Sequence, residues 1–178
     1  PGFRFSLFTK ITTTTYGLLF IIGTLGILVV ELFHSFKGME WHEAIFSAMY
    51  HSVSARSGGL TTYDVTTFSE ASSIFISFLM FIGASPSSVG GGIRTTTFAI
   101  AILFLISFAN GREEIQIFGR SIHLTDVFRS FVIIFLALFM VLFATMILHI
   151  TEPYATTTQI IFEITSAFGT CGMSLGIT

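Results

Sequence analysis

The chain has 178 residues, of which 52% are hydrophobic and only 10% are charged, and its formal net charge at pH 7 is -2. A soluble domain carries about 25% charged residues, so this composition excludes an ordinary soluble protein and predicts one that lies in a lipid bilayer. The single cysteine, Cys171, excludes an internal disulfide, and the small net charge gives no indication of a nucleic-acid partner. Because the sequence starts at Pro1 without an initiator methionine, we expect it to be a piece of a longer chain.

The first long apolar segment covers residues 11–33. As a helix with a rise of about 1.5 Å per residue it would be roughly 35 Å long, enough to cross a hydrocarbon layer of about 30 Å. Arg4 and Lys10 precede this segment. Because positively charged flanks tend to stay on the cytoplasmic side, residues 1–10 are predicted to be cytoplasmic.

A shorter segment, residues 41–53, begins at Trp41 after a polar connector. It is too short to span a bilayer, so we interpret it as a half-membrane helix with Trp41 at the interface. The next residues, 54–61, have the sequence SARSGGLT. A short helix followed by a glycine-bearing loop is typical of a re-entrant loop, in which the chain enters the bilayer and leaves on the same side.

The segment 69–110 is mostly apolar but is interrupted at residues 83–94, GASPSSVGGGIR. The interruption is either a turn between two short spans or a break inside one long span. Two spans would place Arg112, Arg120 and Arg129 outside, whereas one broken span places them inside with the N-terminus. The positive-inside rule therefore favours one broken span.

The remaining segments repeat this order of features. Residues 111–126 are predicted to form a cytoplasmic connector with a small β-hairpin, followed by a span over 127–150. A second half-membrane helix is predicted over 155–168, and a second glycine loop over 169–174. A shift of about 113 residues places Gly59 on Gly172 and the first span on the last, which indicates an internal repeat.

Bare backbone at membrane depth is tolerated only where protein buries it or where it lines a watery cavity. In an ion filter, backbone carbonyl oxygens replace the water around the ion, and glycine allows the backbone to turn them inward. A half-helix that precedes such a loop points its partly negative C-terminal end at it, which favours a cation. The paired loops therefore predict a filter for a monovalent cation, although each glycine pair alone could be an ordinary turn.

Residues 83–98 resemble the broken-helix segment of the Trk/Ktr/HKT potassium transporter superfamily, and most of all that of the bacterial KtrB membrane subunits. The loops at residues 57–60 and 170–174 are similar to the filter strands of that superfamily. The resemblance covers essentially the whole chain. It implies an all-α membrane protein built from repeated units, each a span, a pore helix, a filter loop and a second span.

The resemblance implies that residues 1–110 are the third of four such units and that residues 127–178 are the fourth up to its filter. It places the K⁺ filter at Ser57, Gly58, Gly59, Thr170, Cys171 and Gly172. It places an intramembrane gate at Ser85, Pro86, Ser87, Ser88, Gly90, Gly91, Gly92 and Arg94. Neither filter loop has the Thr-Val-Gly-Tyr-Gly pattern of potassium channels, so we expect weaker discrimination of K⁺ from Na⁺ than in those channels.

The resemblance further implies K⁺ uptake across a bacterial plasma membrane by a multi-pass homodimer, with the filters near the outer side. A cytosolic nucleotide-binding ring would regulate it, the missing repeats would complete the pore, and Na⁺ would act as activator or co-ion. Neither a nucleic-acid partner nor an organic cofactor is expected. The main alternative is a non-conducting membrane scaffold or receptor that docks a cytosolic partner.

Several readings stay open at particular residues. The run Gly90–Gly92 fits a helix kink as well as a gate, and Arg94 fits either a gate anchor or a structural pair. Arg56 is expected to brace the first loop, with Glu70 or Asp64 as candidate partners. The spans contain no nucleophile–base pair that would indicate a membrane enzyme. His42, His51 and Glu43 do not have the spacing to Cys171 that a metal site needs.

Overall fold

The computed structural model describes residues 6–56, 58–61, 64–86, 88–111, 116–117 and 120–177. Within these ranges the chain is mainly helical, with a single-turn 3-10 helix at Val65–Thr67. Two strands, β1 at Gln116–Ile117 and β2 at Arg120–Ser121, pair antiparallel. The α-helices are α1 Leu7–Glu31, α2 Trp41–Ser54, α3 Glu70–Phe81, α4 Thr95–Ala109, α5 Leu124–Thr151 and α6 Thr157–Phe168.

Two helices of the described part, α1 with 25 residues and α5 with 28, are long and apolar enough to cross a membrane. α1 starts four residues before the predicted span because the Ser6 side chain accepts the backbone N–H of Thr9 and caps the helix. α5 starts at Leu124, inside the predicted connector, and Asp126 in its first turn suits the positive end of the helix dipole. Large apolar side chains of α5 such as Phe135, Phe139 and Phe143 are exposed, as expected for a surface that meets lipid.

α1 is the helix on which α2, α3 and α4 pack. α3 lies along its C-terminal half, where Gly23 contacts Leu79 and Gly26 lies against the Phe75 ring. α4 lies along its N-terminal half, where Ile11 packs with Ala99. The residues between α3 and α4 therefore interrupt a helical path that follows the length of α1.

The main core lies between α1, α2, α3 and α6. Its fully buried side chains include Ile27, Ala48, Ile76, Met80 and Phe162. The two short helices, roughly 21 Å for α2 and 18 Å for α6, thus each turn one face to this core, while Trp41, Phe46 and Val53 of α2 are exposed. α6 begins at a capping box, in which Thr156 and Gln159 each accept the other's backbone N–H.

A buried carboxylate joins the end of α1 to the start of α3. Glu31 is 0% exposed and accepts hydrogen bonds from the backbone N–H groups of Ser35 at 3.1 Å and Ser69 at 2.9 Å. The Ser69 hydroxyl donates a further bond at 2.9 Å. Because several N–H and O–H donors converge on it, this carboxylate is stabilised although it is removed from solvent.

Candidate functional site: two facing glycine loops and an interrupted helix

The first loop continues directly from the C-terminus of α2. The backbone carbonyl of Ser54 accepts the N–H groups of Gly58 at 3.0 Å and Gly59 at 3.2 Å, and the Ser54 hydroxyl donates to the carbonyl of Leu60. Gly59 has a φ of +62°, in the left-handed region that glycine adopts without a steric cost. The last turn of α2 therefore holds the loop in place from both of its ends.

The second loop leaves the C-terminus of α6 in a similar manner. The N–H of Gly169 donates to Thr165 and that of Cys171 donates to Ser166, both at 2.8 Å. Gly172 has a φ of +86°, and Thr170, at +53°, is the only non-glycine residue of the described chain with a positive φ. Cys171 between them does not share that conformation, so the handedness of the backbone alternates along this loop.

The two loops meet in space. A Cβ atom added to Gly59 would overlap the carbonyl oxygen of Cys171 and would lie 3.5 Å from the Cα atom of Gly172. The Cys171 thiol donates a hydrogen bond of 3.1 Å to the carbonyl of Ser54. The structure thus brings together the predicted filter residues Gly58, Gly59, Thr170, Cys171 and Gly172, whereas Ser57 lies outside the described residues.

The pair of loops has a buried side and an open side. Cys171 is buried, while Gly58, Thr170 and Gly172 are exposed. The C-terminal ends of α2 and α6 both lead into these loops, and each brings the partial negative charge of a helix C-terminus. The open side therefore offers polar backbone in a field that favours a cation.

Arg56 does not face the open side. It is 2% exposed, its Nη1 donates to the Tyr16 carbonyl at 3.2 Å, and its guanidinium lies 4.6 Å from the centre of the Tyr16 ring. The prediction that Glu70 or Asp64 pairs with Arg56 is therefore wrong. Hydrogen bonds from the hydroxyl and N–H of Thr66 hold the pKa of Asp64 below its usual value, so another donor already occupies that carboxylate.

The interruption between α3 and α4 is an ordered backbone structure. The N–H of Ala84 donates to Gly91 at 3.2 Å and that of Ile93 to Phe81 at 3.1 Å, so the two ends of the interruption are joined. Between them the chain forms a projecting loop. Nη1 of Arg94 donates to the carbonyls of Ser85 at 3.1 Å and Ser88 at 3.0 Å, which fastens this loop to the start of α4.

The interruption also docks on the second glycine loop. The N–H of Gly92 donates to the Phe168 carbonyl at 2.9 Å, and the N–H of Gly91 donates to the Thr170 hydroxyl at 2.7 Å. The rings of Phe81 and Phe168 stack with their centres 5.6 Å apart. The predicted gate residue Gly91 thus touches the predicted filter residue Thr170, Gly92 bonds the last residue of α6, and Ser87 lies outside the described residues.

Two residues of this region were missed by the sequence interpretation. Val89, in the loop between Ala84 and Gly91, is fully exposed and is an apolar residue among serines and glycines. Glu163 of α6 is 9% exposed and accepts hydrogen bonds from the Ser174 hydroxyl and the Leu175 N–H, so it holds the exit of the second loop. An acidic residue in an apolar half-membrane helix was the signal that could have identified it.

The histidines do not form a metal centre within the described ranges, which contain no group of three potential ligands. His51 is buried, bonds through Nδ1 to the Ser47 carbonyl at 2.8 Å and lies beside the Phe68 ring. His42 pairs at the surface with Glu40 at 3.1 Å.

These features define a helical membrane protein in which two loops of bare backbone meet inside the helix bundle. Residues 3–178 match the TrkH family, described as cation transport proteins. The chain belongs to this family.

Relatives within the family are named for potassium uptake. The chain is 49% identical over 176 residues to the Ktr system potassium uptake protein D of Bacillus subtilis, and 33% identical over 178 residues to protein B of that system. It is 32% identical over 180 residues to the potassium/sodium uptake protein NtpJ of Enterococcus hirae. These alignments cover 98–99% of this chain but only 39–40% of each relative, so the chain spans about two fifths of their length.

Proposed function

We propose that this chain supplies two of the filter strands and the gate of a potassium uptake protein. The observation that carries the proposal is the contact between Gly59 and the backbone of Cys171 and Gly172, two loops more than 100 residues apart in the sequence. Each follows the C-terminus of a short helix that packs against the main core. Carbonyl oxygens of the open side would replace the water around K⁺ as it passes.

The repeated order of elements supports the assignment to consecutive pore units. α1 packs on α2 and α5 packs on α6, and a glycine loop follows each short helix. In this proposal α2 and α6 are pore helices, and α3 and α4 form one broken span. The N-terminus of α1 and the strand pair β1–β2 would then be cytoplasmic, with the filter near the outer face.

The projecting loop between Ala84 and Gly91 would act as the gate. It ends next to the filter at Gly91, and it carries the exposed Val89. An apolar side chain in a narrow aqueous path opposes the passage of a hydrated ion, because it offers no replacement for the lost water. Arg94 would hold the closed loop through the carbonyls of Ser85 and Ser88.

The proposed partners extend beyond this chain. Two glycine strands cannot surround an ion, so further repeats of the same protein would supply the other filter strands. The wider assembly would be a homodimer on a cytosolic nucleotide-binding ring, with β1–β2 as a candidate contact. In this proposal K⁺ is the main transported ion and Na⁺ acts as activator or co-ion. One relative is named for uptake of both potassium and sodium, which supports a part for both ions.

Uptake of rubidium into vesicles that contain the full-length protein tests this proposal. The expected result is uptake that K⁺ inhibits more strongly than Na⁺, and that falls in a Gly59→Ser variant. A full-length protein that folds, inserts and associates with a cytosolic partner but carries no rubidium would contradict conduction and favour a scaffold.

A further inference from the structure

We infer that the side chain of Thr170 is a positioning residue that couples the second filter loop to the gate loop. The inference rests on the proposed function, but its structural part concerns hydrogen bonds that can be measured without ion flux. Thr170 has three features that act together: its place in the loop, its backbone conformation and the two bonds of its hydroxyl.

The hydroxyl of Thr170 joins two segments that are distant in sequence. It accepts the N–H of Gly91 at 2.7 Å and donates to the carbonyl of its own neighbour Gly169 at 2.8 Å. The one proton of the hydroxyl is used toward Gly169, which leaves a lone pair directed at Gly91. The hydroxyl therefore orients a filter-loop peptide and the gate-loop backbone at the same time.

The backbone at Thr170 makes this coupling conditional on the loop's conformation. Its φ of +53° is costly for a β-branched residue and persists only where surrounding contacts hold it. If the loop relaxed to a negative φ, the side chain would swing away from Gly91. The Gly91 N–H would then lose its acceptor, and the bond from Gly92 to Phe168 and the stacked rings of Phe81 and Phe168 would remain.

The contact surface leaves little room for adjustment. A Cβ atom on Gly91 would overlap the Phe168 carbonyl and the Thr170 methyl group. A change of conformation at Thr170 therefore displaces the gate loop through both contact and hydrogen bonding. We infer that an ion held by carbonyls of the second loop stabilises the conformation of Thr170 and thereby the docked gate loop.

The test uses the full-length protein in lipid nanodiscs with Thr170→Val, which keeps the branched shape but lacks the hydroxyl, and Thr170→Ser, which keeps the hydroxyl. Thr145→Val is the matched control, because it removes a hydroxyl bonded within α5 to Val141, away from both loops. Amide hydrogen exchange is followed in residues 88–94, in K⁺ and in choline buffer, and rubidium flux is measured in parallel.

We expect exchange at Gly91 to rise about twofold to tenfold in Thr170→Val, which is the range for one lost hydrogen bond. The exchange rate at Gly91 in Thr170→Ser and in Thr145→Val should stay close to that of the wild type. K⁺ should slow this exchange in the wild type and in Thr170→Ser, but much less in Thr170→Val. Rubidium flux through Thr170→Val should rise by a similar factor.

Two outcomes would overturn the inference: unchanged exchange in a folded Thr170→Val protein, or a Thr170→Ser protein that behaves like Thr170→Val. Should Thr170→Val fail to fold, Gly91→Ala displaces the same contact from the gate side and must give the same faster exchange at residues 88–94. Absence of rubidium flux in the wild type would refute the proposed function, while the exchange measurement would still decide whether Thr170 holds Gly91.

Discussion

Gly59 and Gly172 are neighbours: a Cβ atom on Gly59 would lie 3.5 Å from the Cα atom of Gly172. The two residues have positive φ angles of +62° and +86°, yet their surroundings differ. The carbonyl of Cys171 fills the space beside Gly59, whereas no atom lies within 4 Å of a Cβ on Gly172. The same substitution at the two glycines therefore tests different properties of the paired loops.

Gly172→Ala should lower the free energy of unfolding by about 1–2 kcal/mol, because alanine is less stable than glycine in the left-handed conformation. Gly59→Ala should cost more and lower K⁺ over Na⁺ selection further, because its methyl group must displace the backbone of the facing loop. Gly38→Ala is the matched control, since Gly38 has a φ of +97° and open space but lies outside both loops. Thermal unfolding and competition of Na⁺ with rubidium uptake measure the two effects. Equal effects at Gly59 and Gly38 would contradict the packing of the loops.

Shortening the gate loop should raise flux. The N–H of Ala84 donates to the carbonyl of Gly91 at 3.2 Å, so the two ends of the loop lie side by side and a shorter glycine linker can replace residues 85–90. The variant removes the apolar Val89 but keeps Gly91 and Gly92. Val89→Ser, which keeps the length of the loop, should raise rubidium flux to a smaller extent. Lower flux in a well-folded shortened protein would show that the loop supports the pore and does not close it.

Cys171 should link the loops through its thiol. Cys171→Ala removes the donor to the Ser54 carbonyl and leaves a small cavity, so we expect a loss of about 1–2 kcal/mol and weaker selection of K⁺ over Na⁺. Cys171→Ser keeps a donor and should lie closer to the wild type. Selection that is the same in all three proteins would exclude a role for the thiol in the filter.

Because Cys171 is buried, its labelling by a maleimide should be slow in the native full-length protein and fast after unfolding. Fast native labelling at this position would contradict the described packing of the two loops.

Glu31→Gln should destabilise the fold by about 1–3 kcal/mol, because an amide group would face donors that now converge on a carboxylate. The effect should appear as a lower unfolding temperature in detergent. Glu43→Gln is the control, since Glu43 is exposed in the first turn of α2 and should change stability by less than about 0.5 kcal/mol. A Glu31→Gln protein as stable as Glu43→Gln would contradict the proposed connection between α1 and α3.

Much of the local structure could be predicted from the chain alone. The apolar length of residues 11–33 and 127–150 predicted the long helices, and the structure has them at Leu7–Glu31 and Leu124–Thr151. The ends shifted by up to four residues because caps such as Ser6 decide where a helix starts. The glycine pattern located both loops, but only the structure shows that Gly59 and Gly172 take left-handed angles whereas Gly58 and Gly169 do not.

The tertiary structure alone decided which of these pieces touch. The guanidinium of Arg56 donates to the backbone carbonyl of Tyr16 and not to an acidic residue. The hydroxyl of Thr170 accepts the N–H of Gly91, which lies 79 positions earlier in the chain. No local pattern encodes such pairs, because they depend on how α1, α3 and α6 pack around one another. Composition and helix periodicity act within a few residues along the chain, whereas a site made from two loops exists only after distant helices have been brought together.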